Sequence, residues 1–487
     1  MMITFYTSRV VLNTLGVEDF GIYNVVGGII MMFGFLNSSM AGATSRFLTF
    51  ELGKQDYDKL QKTFSAALTI HFMIAVIILI LGETAGLWWL EDKLVIDPER
   101  MNAARWVFHL SVIASVISIT QVPYNATIIA RERMNVYAYI EILNSLLKLG
   151  IAFLLIMGNF DKLILYAIST LFASICIVII YIIYCVRNFE ETHYIFHWNK
   201  DIIKPIIGFS GWTLYLNSSF TLKTEGINMI LNLFFGVAIN AAFGIAGQIQ
   251  SAATGFSNNF LMAVRPQIVK YYAEGNIKKM QNLVINASKF SFFLLFLISF
   301  PLIIENKFIL QLWLKNVPDY AVIFSQLFLI YFLISSSNST ITTAIQATGK
   351  VKGLSIVDGT LFLLVIPVSY FFLKANYSPI VPMILNIALL IIGVSINLLI
   401  LKNLIPKFSL TEFILKFIMV SIFLLILSSV IPVWLHFLLE EGFLRFFLVL
   451  ISFAVILSVL TYHFALNRSM KHKLCNIIYK HIKILVN

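Results

Sequence analysis

Three cationic side chains, Arg9, Lys148 and Lys223, interrupt long apolar stretches of this 487-residue chain. Inside a membrane a charge costs roughly 2.5–3.5 kcal/mol on insertion scales, so such side chains usually face a protein interior or water. Arginine presents two parallel N–H donors to phosphate oxygens, and lysine presents a compact positive charge. If these stretches cross a membrane, the three residues predict an internal cationic pocket for an anion, and a diphosphate suits this chemistry.

The depth of each cation follows from the helical rise of about 1.5 Å per residue. Measured from the outer end of its segment, Arg9 lies about 10 Å deep, Lys148 about 15 Å and Lys223 about 20 Å. Both lysines are therefore near the midplane. Two alternatives stay open: Arg9 extends to the outer interface, or Lys148 belongs to an internal ion pair.

The stretch WTLYLNSSFTLKTEGIN, residues 212–228, is unusually polar for an apolar segment. A helix through it and the next turn places five polar residues on one stripe: Ser218, Thr221, Glu225, Asn228 and Asn232. Lys223 projects nearly opposite, so either Glu225 and Lys223 face different surroundings or the helix distorts near Gly226. The stripe predicts a cavity lining, with polar contacts between helices as the alternative. Asp358, a few residues inside a later segment, is interpreted as an interfacial residue.

The elements that position these residues are apolar segments of about twenty residues, the length that crosses a bilayer as a helix. Hydrophobic residues make up 59% of the chain and charged residues 12%, roughly half the charged share of soluble domains. The sequence therefore predicts an all-α, polytopic membrane protein with about fourteen transmembrane helices. The segments are 2–15, 22–46, 64–90, 104–130, 136–157, 163–186, 205–235, 238–262, 284–304, 320–348, 354–373, 380–401, 412–433 and 443–466.

Segment 1 is shorter than the others. About twenty apolar residues are needed to cross a bilayer, and the range 2–15 offers fourteen. The segment also lacks the basic start and the small-residue cleavage site of a signal peptide. We therefore expect the first helix to be truncated.

The distribution of Lys and Arg predicts the orientation of the segments. Of 35 such residues, 24 fall in the loops after even-numbered segments and in the tail, and eight fall on the opposite side. Because cytoplasmic loops carry this kind of excess, the side with 24 is predicted to be cytoplasmic. The net charge of +11 follows mainly from this bias, and no basic domain outside the membrane indicates nucleic-acid binding.

Two similar stretches occupy equivalent places six segments apart. They are FGIYNVVGGIIMMFGFLNSSMAGATSRF, from Phe20, and FGIAGQIQSAATGFSNNFLMAVRP, from Phe243. Each follows a Gly-Val pair and ends near an arginine, Arg46 or Arg265, on the predicted cytoplasmic side. This internal repeat predicts two six-helix lobes in parallel orientation around a central cavity, an arrangement suited to alternating access. A chance match of short apolar stretches is the alternative.

The repeat and the loops together predict the domain limits. The chain divides into an N-terminal lobe at 1–187 with segments 1–6, a cytoplasmic linker at 188–204, a C-terminal lobe at 205–402 with segments 7–12, two additional helices at 403–467 and a basic cytoplasmic tail at 468–487. The tail mixes Lys and His with apolar residues. It therefore lies along the cytoplasmic leaflet or ends in solvent.

Motifs for metal, nucleotide or catalytic chemistry are weak or missing in the sequence. The eight histidines show no metal-ligand spacing, and no glycine-rich phosphate loop precedes a Lys-Ser or Lys-Thr pair. The three cysteines form no disulfide framework. Asp56-Tyr57-Asp58 is a lone Asp-x-Asp that a solvated amphipathic loop explains better than metal binding. We therefore expect no cofactor, no metal and no enzymatic activity.

Three stretches carry a resemblance to a known family: YTSRVVLNTLGVEDFGIYNVVGGI, SRFLTFELGK and PYNATIIARERMNVYAYIEIL. With the fourteen segments, they resemble the polysaccharide and O-antigen flippases of the multidrug/oligosaccharidyl-lipid/polysaccharide exporter superfamily. The resemblance implies transport of undecaprenyl-diphosphate-linked oligosaccharide across the bacterial inner membrane for O-antigen, capsule or exopolysaccharide synthesis. It implies membrane lipids and the polysaccharide polymerase machinery as partners, and a longer first segment. Related lipid flippases carry cavity arginines on segments 1, 2 and 8, which Arg9, Arg46 and Arg265 match by position.

Two other functions remain as alternatives: an ion-coupled multidrug or cation exporter of the same superfamily, and a membrane-embedded glycan polymerase or glycosyltransferase. An exporter of organic cations would place acidic residues in its cavity, whereas the deep charges here are mainly basic. A glycan enzyme would need a catalytic domain, and the loops are too short for one. The energy source stays open between a proton, a sodium ion and the membrane potential. The candidate substrate-binding residues are Arg9, Arg46, Lys148, Lys223 and Arg265.

Overall fold

The computed structural model describes residues 7, 10, 11, 14–16, 19, 22, 23, 26, 34–92, 96–157, 161–196, 199–314, 317–465 and 471. Their helices are α1 (Gly34–Lys54), α2 (Tyr57–Asp92), α3 (Pro98–Ala130), α4 (Met134–Met157), α5 (Lys162–Asn188), α6 (Lys200–Phe235), α7 (Val237–Ala273), α8 (Ile277–Ile304), α9 (Asn306–Leu314), α10 (Ala321–Ala347), α11 (Lys352–Lys374), α12 (Val381–Leu404), α13 (Leu410–Leu438) and α14 (Phe443–Ala465). The described residues contain no strand. The all-α prediction is confirmed.

Ten of the described helices are long and apolar enough to cross a membrane, namely α2–α5, α8 and α10–α14. Predicted segments 3–14 each coincide with one helix, segment 2 overlaps α1 from Gly34 onward, and segment 1 falls largely outside the described residues. The polytopic membrane fold is therefore confirmed. Three other long helices, α1, α6 and α7, are not among these ten. Membrane helices with polar side chains usually turn them toward a protein interior or water.

The predicted internal repeat is visible in the backbone. Gly16 and Gly236, the glycines of the two Gly-Val pairs, both have a left-handed φ, at 82° and 77°. The turns after α1 and α7 are also alike, because Gln55 has a φ of 59° and Gly275 has a φ of 71°. A positive φ is uncommon for a non-glycine residue such as Gln55. In both pairs the positive φ recurs after 220 positions, which supports a duplicated backbone.

The residue after each of these turns caps the next helix. Oδ1 of Asp56 accepts the backbone N–H three residues later at 3.0 Å, and Oδ1 of Asn276 does the same at 3.1 Å, as N-cap residues do. These caps are again 220 positions apart, whereas Phe20 and Phe243 of the sequence comparison are 223 apart. At the spacing that the backbone gives, Arg46 and Arg265 fall within one residue of equivalent positions.

Two compact units divide the chain. Unit 1 comprises Met1–Ser218 and Val269–Gly275, and unit 2 comprises Ser219–Ile268 and Asn276–Asn487. The end of α7 therefore belongs to unit 1 although the rest of that helix belongs to unit 2. The domain limits drawn from the sequence stay a prediction.

Each unit has its own apolar core. In unit 1, Phe64, Tyr124 and Tyr181 bring α2, α3 and α5 together, and the rings of Phe64 and Tyr124 meet edge to face at 5.2 Å. In unit 2, the rings of Phe300 and Phe453 stack at 4.3 Å and join α8 to α14. Aromatic pairs of this kind add about 0.5–1.5 kcal/mol beyond the area that they bury. These contacts fix the helices that carry the polar side chains.

Candidate functional site

Arg46 lies in α1, eight residues before the helix ends at Lys54. Its side chain is largely covered, with 9% of the residue exposed. The guanidinium carbon is 4.5 Å from the ring centroid of Phe47 and 4.6 Å from that of Phe50, close enough for cation–π attraction. A charge in such apolar surroundings interacts with an anion more strongly than it would in bulk water.

The last turn of α7 packs closely on α1 within unit 1. A Cβ atom on Gly53 would come within 2.8 Å of Cβ of Ala273 and 2.9 Å of Cα of Lys270. Since the second contact is with backbone, only glycine allows this approach without displacement of a helix. The ammonium of Lys270 forms an ion pair with the carboxylate of Glu132, on the turn after α3. This contact ties the predicted cytoplasmic ends of three helices together.

Lys223 is buried in unit 2, with 3% of the residue exposed. Its ammonium donates to the hydroxyl of Tyr331 at 3.1 Å and to Oδ1 of Asn386 at 3.2 Å. The rings of Phe220, Tyr331 and Phe362 surround it, with centroids 4.6, 4.8 and 4.6 Å from Nζ. These three rings offset part of the free-energy cost of removing the ammonium from water.

The polar stripe of α6 is only partly covered. Thr221, Glu225 and Asn232 are exposed, and Ser218 and Asn228 are half-buried. Oδ1 of Asn228 accepts a hydrogen bond from Nδ2 of Asn240 on α7 at 2.8 Å. Because α6 continues without a break from Lys200 to Phe235, Glu225 and Lys223 face different surroundings. The first of the two alternatives drawn from the sequence is the one observed.

The remaining candidate cations lie in less covered positions. Lys148 is exposed on α4 in unit 1, and Arg265 is exposed on α7 in unit 2. Nη2 of Arg265 is 3.5 Å from the hydroxyl of Ser339, a long contact that leaves the guanidinium accessible. Arg9 lies outside the described residues. Of the four described cations, two are therefore covered and two are accessible.

Asp358 on α11 is buried, with 6% of the residue exposed, which corrects its interpretation as an interfacial residue. Nδ2 of Asn397 donates to both carboxylate oxygens, at 2.9 and 3.1 Å. A Cβ atom on Gly393 would lie 3.3 Å from Oδ1 of Asp358. The glycine thus lets α12 approach α11 closely enough to cover the carboxylate near its helix end.

A family model described as "Polysaccharide biosynthesis protein" matches residues 1–272 of the 487. The chain belongs to this family. The match covers unit 1 and the repeat that continues through α7. A search of curated protein sequences finds no match.

Solved structures with the fold of this polysaccharide biosynthesis family member include transporters. One is described as MATE in the straight conformation, with a TM-score of 0.72 and 14% identity over 82% of this chain and 93% of that one. Another is the outward-facing conformation of a multidrug resistance MATE family transporter of the MOP superfamily, at 0.73 and 14% over 83% and 92%. A third is a MOP superfamily transporter from Pyrococcus furiosus whose binding pocket is described as having reverse polarity, at 0.68 and 14% over 83% and 93%. At these identities the likeness establishes the fold.

Sequence reasoning missed the polar partners that this family member places around Lys223 and Asp358. Tyr331 and Asn386 are 108 and 163 positions away from Lys223 in the chain, so no local spacing points to them. A weak signal was available: Asn386 and Asn397 both lie in α12, an otherwise apolar helix. Amide side chains in membrane helices usually bond to another polar group across a helix contact.

Proposed function

We propose that the protein is a flippase that moves oligosaccharide linked through a diphosphate to undecaprenyl lipid across the bacterial inner membrane. The product would supply O-antigen, capsule or exopolysaccharide synthesis. One observation carries the proposal: a family match for polysaccharide biosynthesis falls on a chain built from membrane-spanning helices with the fold of MATE transporters. A lipid-linked glycan intermediate is the substrate class that joins those two properties.

The main candidate substrate residues are found on α1, α6 and α7 and on segment 1 of the sequence. Arg46 on α1 and Arg265 on α7 occupy nearly equivalent places in the repeat, and Arg9 precedes the first of them in the chain. Arginine suits a diphosphate because its planar fork donates two parallel hydrogen bonds to phosphate oxygens. The exposed members of the α6 stripe, Thr221 and Asn232 among them, supply neutral donors and acceptors suited to hydroxyl groups.

The two lysines have different parts in the proposal. Lys148 is exposed on α4, where an anion can reach its ammonium, and it stays a candidate phosphate contact. Lys223 is enclosed by three aromatic rings and already bonded to Tyr331 and Asn386, so we assign it no direct phosphate contact. Glu225 is the exposed anion of the stripe.

Loss of one charge-assisted contact costs on the order of 1.5–3 kcal/mol, which corresponds to about tenfold to a hundredfold in affinity or rate. Arg265→Ala and Arg9→Ala should therefore lower surface glycan by that order in a deletion strain complemented at matched membrane abundance. Lipid-linked oligosaccharide should accumulate in the cytoplasmic leaflet at the same time. Arg265→Lys should restore part of the export, since the charge returns without the bidentate fork.

The matched control is Arg187→Ala, which removes an exposed arginine at the end of α5 and should leave export unchanged. Arg46 is covered by two rings, so Arg46→Lys is read beside Arg46→Ala to separate binding from folding. Normal leaflet distribution of the lipid-linked glycan in the deletion strain would overturn the proposal. Efflux of cationic dyes that depends on the protein, with unchanged surface glycan, would favour the exporter instead.

A further inference from the structure

A small cavity inside unit 2 is lined by side chains from α10, α11 and α12. Its polar lining residues are Asn338, Asp358 and Asn386, and its apolar wall includes Phe362 and Gly393. Its volume is about 10 Å³, roughly the room that one water molecule needs. Polar side chains are costly in the middle of membrane helices, so three of them around one small space call for a function.

The carboxylate of Asp358 is held by the side-chain amides of Asn397 and Asn338. Nδ2 of Asn397 reaches both carboxylate oxygens and also lies 3.2 Å from Oδ1 of Asn338. Oδ1 of Asn397 is buried, and it has no hydrogen-bond partner among the described residues. The residue itself is fully covered, at 0% exposed. A buried acceptor without a donor loses about 1–3 kcal/mol, which makes this oxygen a place where a new donor would be stabilising.

Lys223 contacts two of the residues that line this cavity, although it does not line the cavity itself. Asn386 lines it and accepts the hydrogen bond from the ammonium of Lys223. Phe362 also lines it and contacts that ammonium through its ring. The carboxylate of Asp358 therefore lines the cavity, and the side chains of Asn386 and Phe362 separate the buried amine of Lys223 from it.

Few other titratable groups face this pair. Within the described residues, α10 carries no Asp, Glu, Lys or Arg, and its one tyrosine is Tyr331, which bonds to Lys223. On α12 the charged residue is Lys402, at the helix end, where it bonds to the carbonyls of Pro406 and Phe408. The charged residues of α11 other than Asp358 lie at its two ends, and Glu225 of α6 is on the exposed stripe.

We propose that Asp358 is a proton-binding site, that Asn397 responds to its protonation and that the positive charge of Lys223, behind Asn386 and Phe362, opposes that protonation. A hydronium ion gives a proton to a carboxylate oxygen of Asp358, which becomes a carboxylic acid, and a neutral water molecule remains. The acid then carries an O–H donor and has one acceptor oxygen fewer. The Asn397 amide rotates, so that its unpartnered Oδ1 accepts this O–H and its Nδ2 leaves the carboxyl group. Release of the proton reverses both changes.

This exchange alters how α11 and α12 are bonded, while the ammonium of Lys223 lies behind Asn386 and Phe362. The same ammonium disfavours a metal ion at this place, since like charges in a low-dielectric interior repel strongly. The energy source of the proposed flippase is then a proton rather than a sodium ion. That last step rests on the proposed function, whereas proton binding at Asp358 does not.

Infrared spectroscopy of the purified, lipid-reconstituted protein tests the site without any substrate. As pH is lowered, a carbonyl band of a buried carboxylic acid should appear in the parent and be absent in Asp358→Asn. In Lys223→Met the band should appear at a higher pH, because the neighbouring positive charge no longer opposes protonation. In Lys223→Arg the band should appear at the same pH as in the parent. Lys374 is an exposed lysine of α11, and Lys374→Met should leave the pH at which the band appears unchanged.

Three results would overturn the proposal. The first is a parent spectrum that contains no band removed by Asp358→Asn. The second is a band that appears at the same pH in Lys223→Met as in the parent, and the third is loss of the band when choline chloride is replaced with sodium chloride. In cells, Asp358→Asn should export glycan at a rate that no longer depends on external pH. If the band is present and the deletion strain handles lipid-linked glycan normally, the proton site stands and the flippase assignment fails.

Discussion

Glu305 is expected to be the most costly single charge to remove from unit 2. It lies at the junction of α8 and α9, its side chain is 0% exposed, and Nε and Nη2 of Arg445 donate to Oε2 at 3.1 and 2.8 Å. Nδ1 of His436 is 2.7 Å from Oε1. Removing one partner of a buried ion pair typically costs about 3–5 kcal/mol, because the other charge stays buried. Glu305→Gln should therefore shift the unfolding equilibrium by roughly a hundredfold to several thousandfold.

Detergent titration of the purified protein, followed by loss of helical circular dichroism, measures this change. The matched control is Glu412→Gln, whose partner Lys416 is 3.3 Å away and 54% exposed, and an exposed pair of this kind contributes about 1 kcal/mol or less. The double variant Glu305→Gln/Arg445→Met should recover much of the stability, since it leaves no buried cation without a partner. A Glu305→Gln effect no larger than the control, or no recovery in the double variant, would refute the reasoning.

Three further predictions concern unit 1. Gly53→Val should displace the last turn of α7 from α1, at a cost of about 1–3 kcal/mol in folding free energy for overpacking. In a cysteine-free background, a cysteine at Ala273 should then react faster with maleimide. An unchanged labelling rate would contradict the contact. A single cysteine at Gln55 should be protected from an impermeant thiol reagent in intact cells, since the charge bias puts it in the cytoplasm, and labelling from outside would reverse the topology. Burial raises the pKa of Asp161, between α4 and α5, but hydrogen bonds from Arg100 and from backbone amides outweigh this and lower it. A carboxylate whose pKa is lowered in the folded state stabilises the fold at a pH above its ordinary pKa of about 3.9, and this contribution is lost as pH falls through the folded-state pKa. The difference in unfolding free energy between the parent and Asp161→Asn should therefore shrink below about pH 4. A difference that stays constant with pH would contradict the prediction.

Much of the fold could be predicted because bilayer thickness sets the length of each apolar segment. The ends of helices were less predictable. Segment 2 was ended at Arg46, whereas α1 continues to Lys54, because the amphipathic stretch after the arginine stays helical until the turn at Gln55. Apolar content marks where a helix meets lipid, and hydrogen-bond capping marks where it stops.

The candidate site was harder to predict because its contacts join distant parts of the chain. The depth of Lys223 in its segment could be calculated from the sequence. The aromatic rings around its ammonium and its hydrogen bonds to α10 and α12 could not be predicted in this way. Asp358 was misread because its position was judged from its distance to the helix end alone. That distance says nothing about the neighbouring helix, and Gly393 on α12 is what covers the carboxylate.

The duplicated backbone separates what the fold requires from what the site requires. At the turns after α1 and α7 the side chains differ, Gln55 in one copy and Gly275 in the other, while the left-handed backbone is the same. At the arginines the residue type recurs, and the surroundings differ: Arg46 is covered by two rings, and Arg265 is accessible beside Ser339. No shared packing explains that recurrence. Under the proposed function, each arginine would supply a positive charge to an anionic substrate.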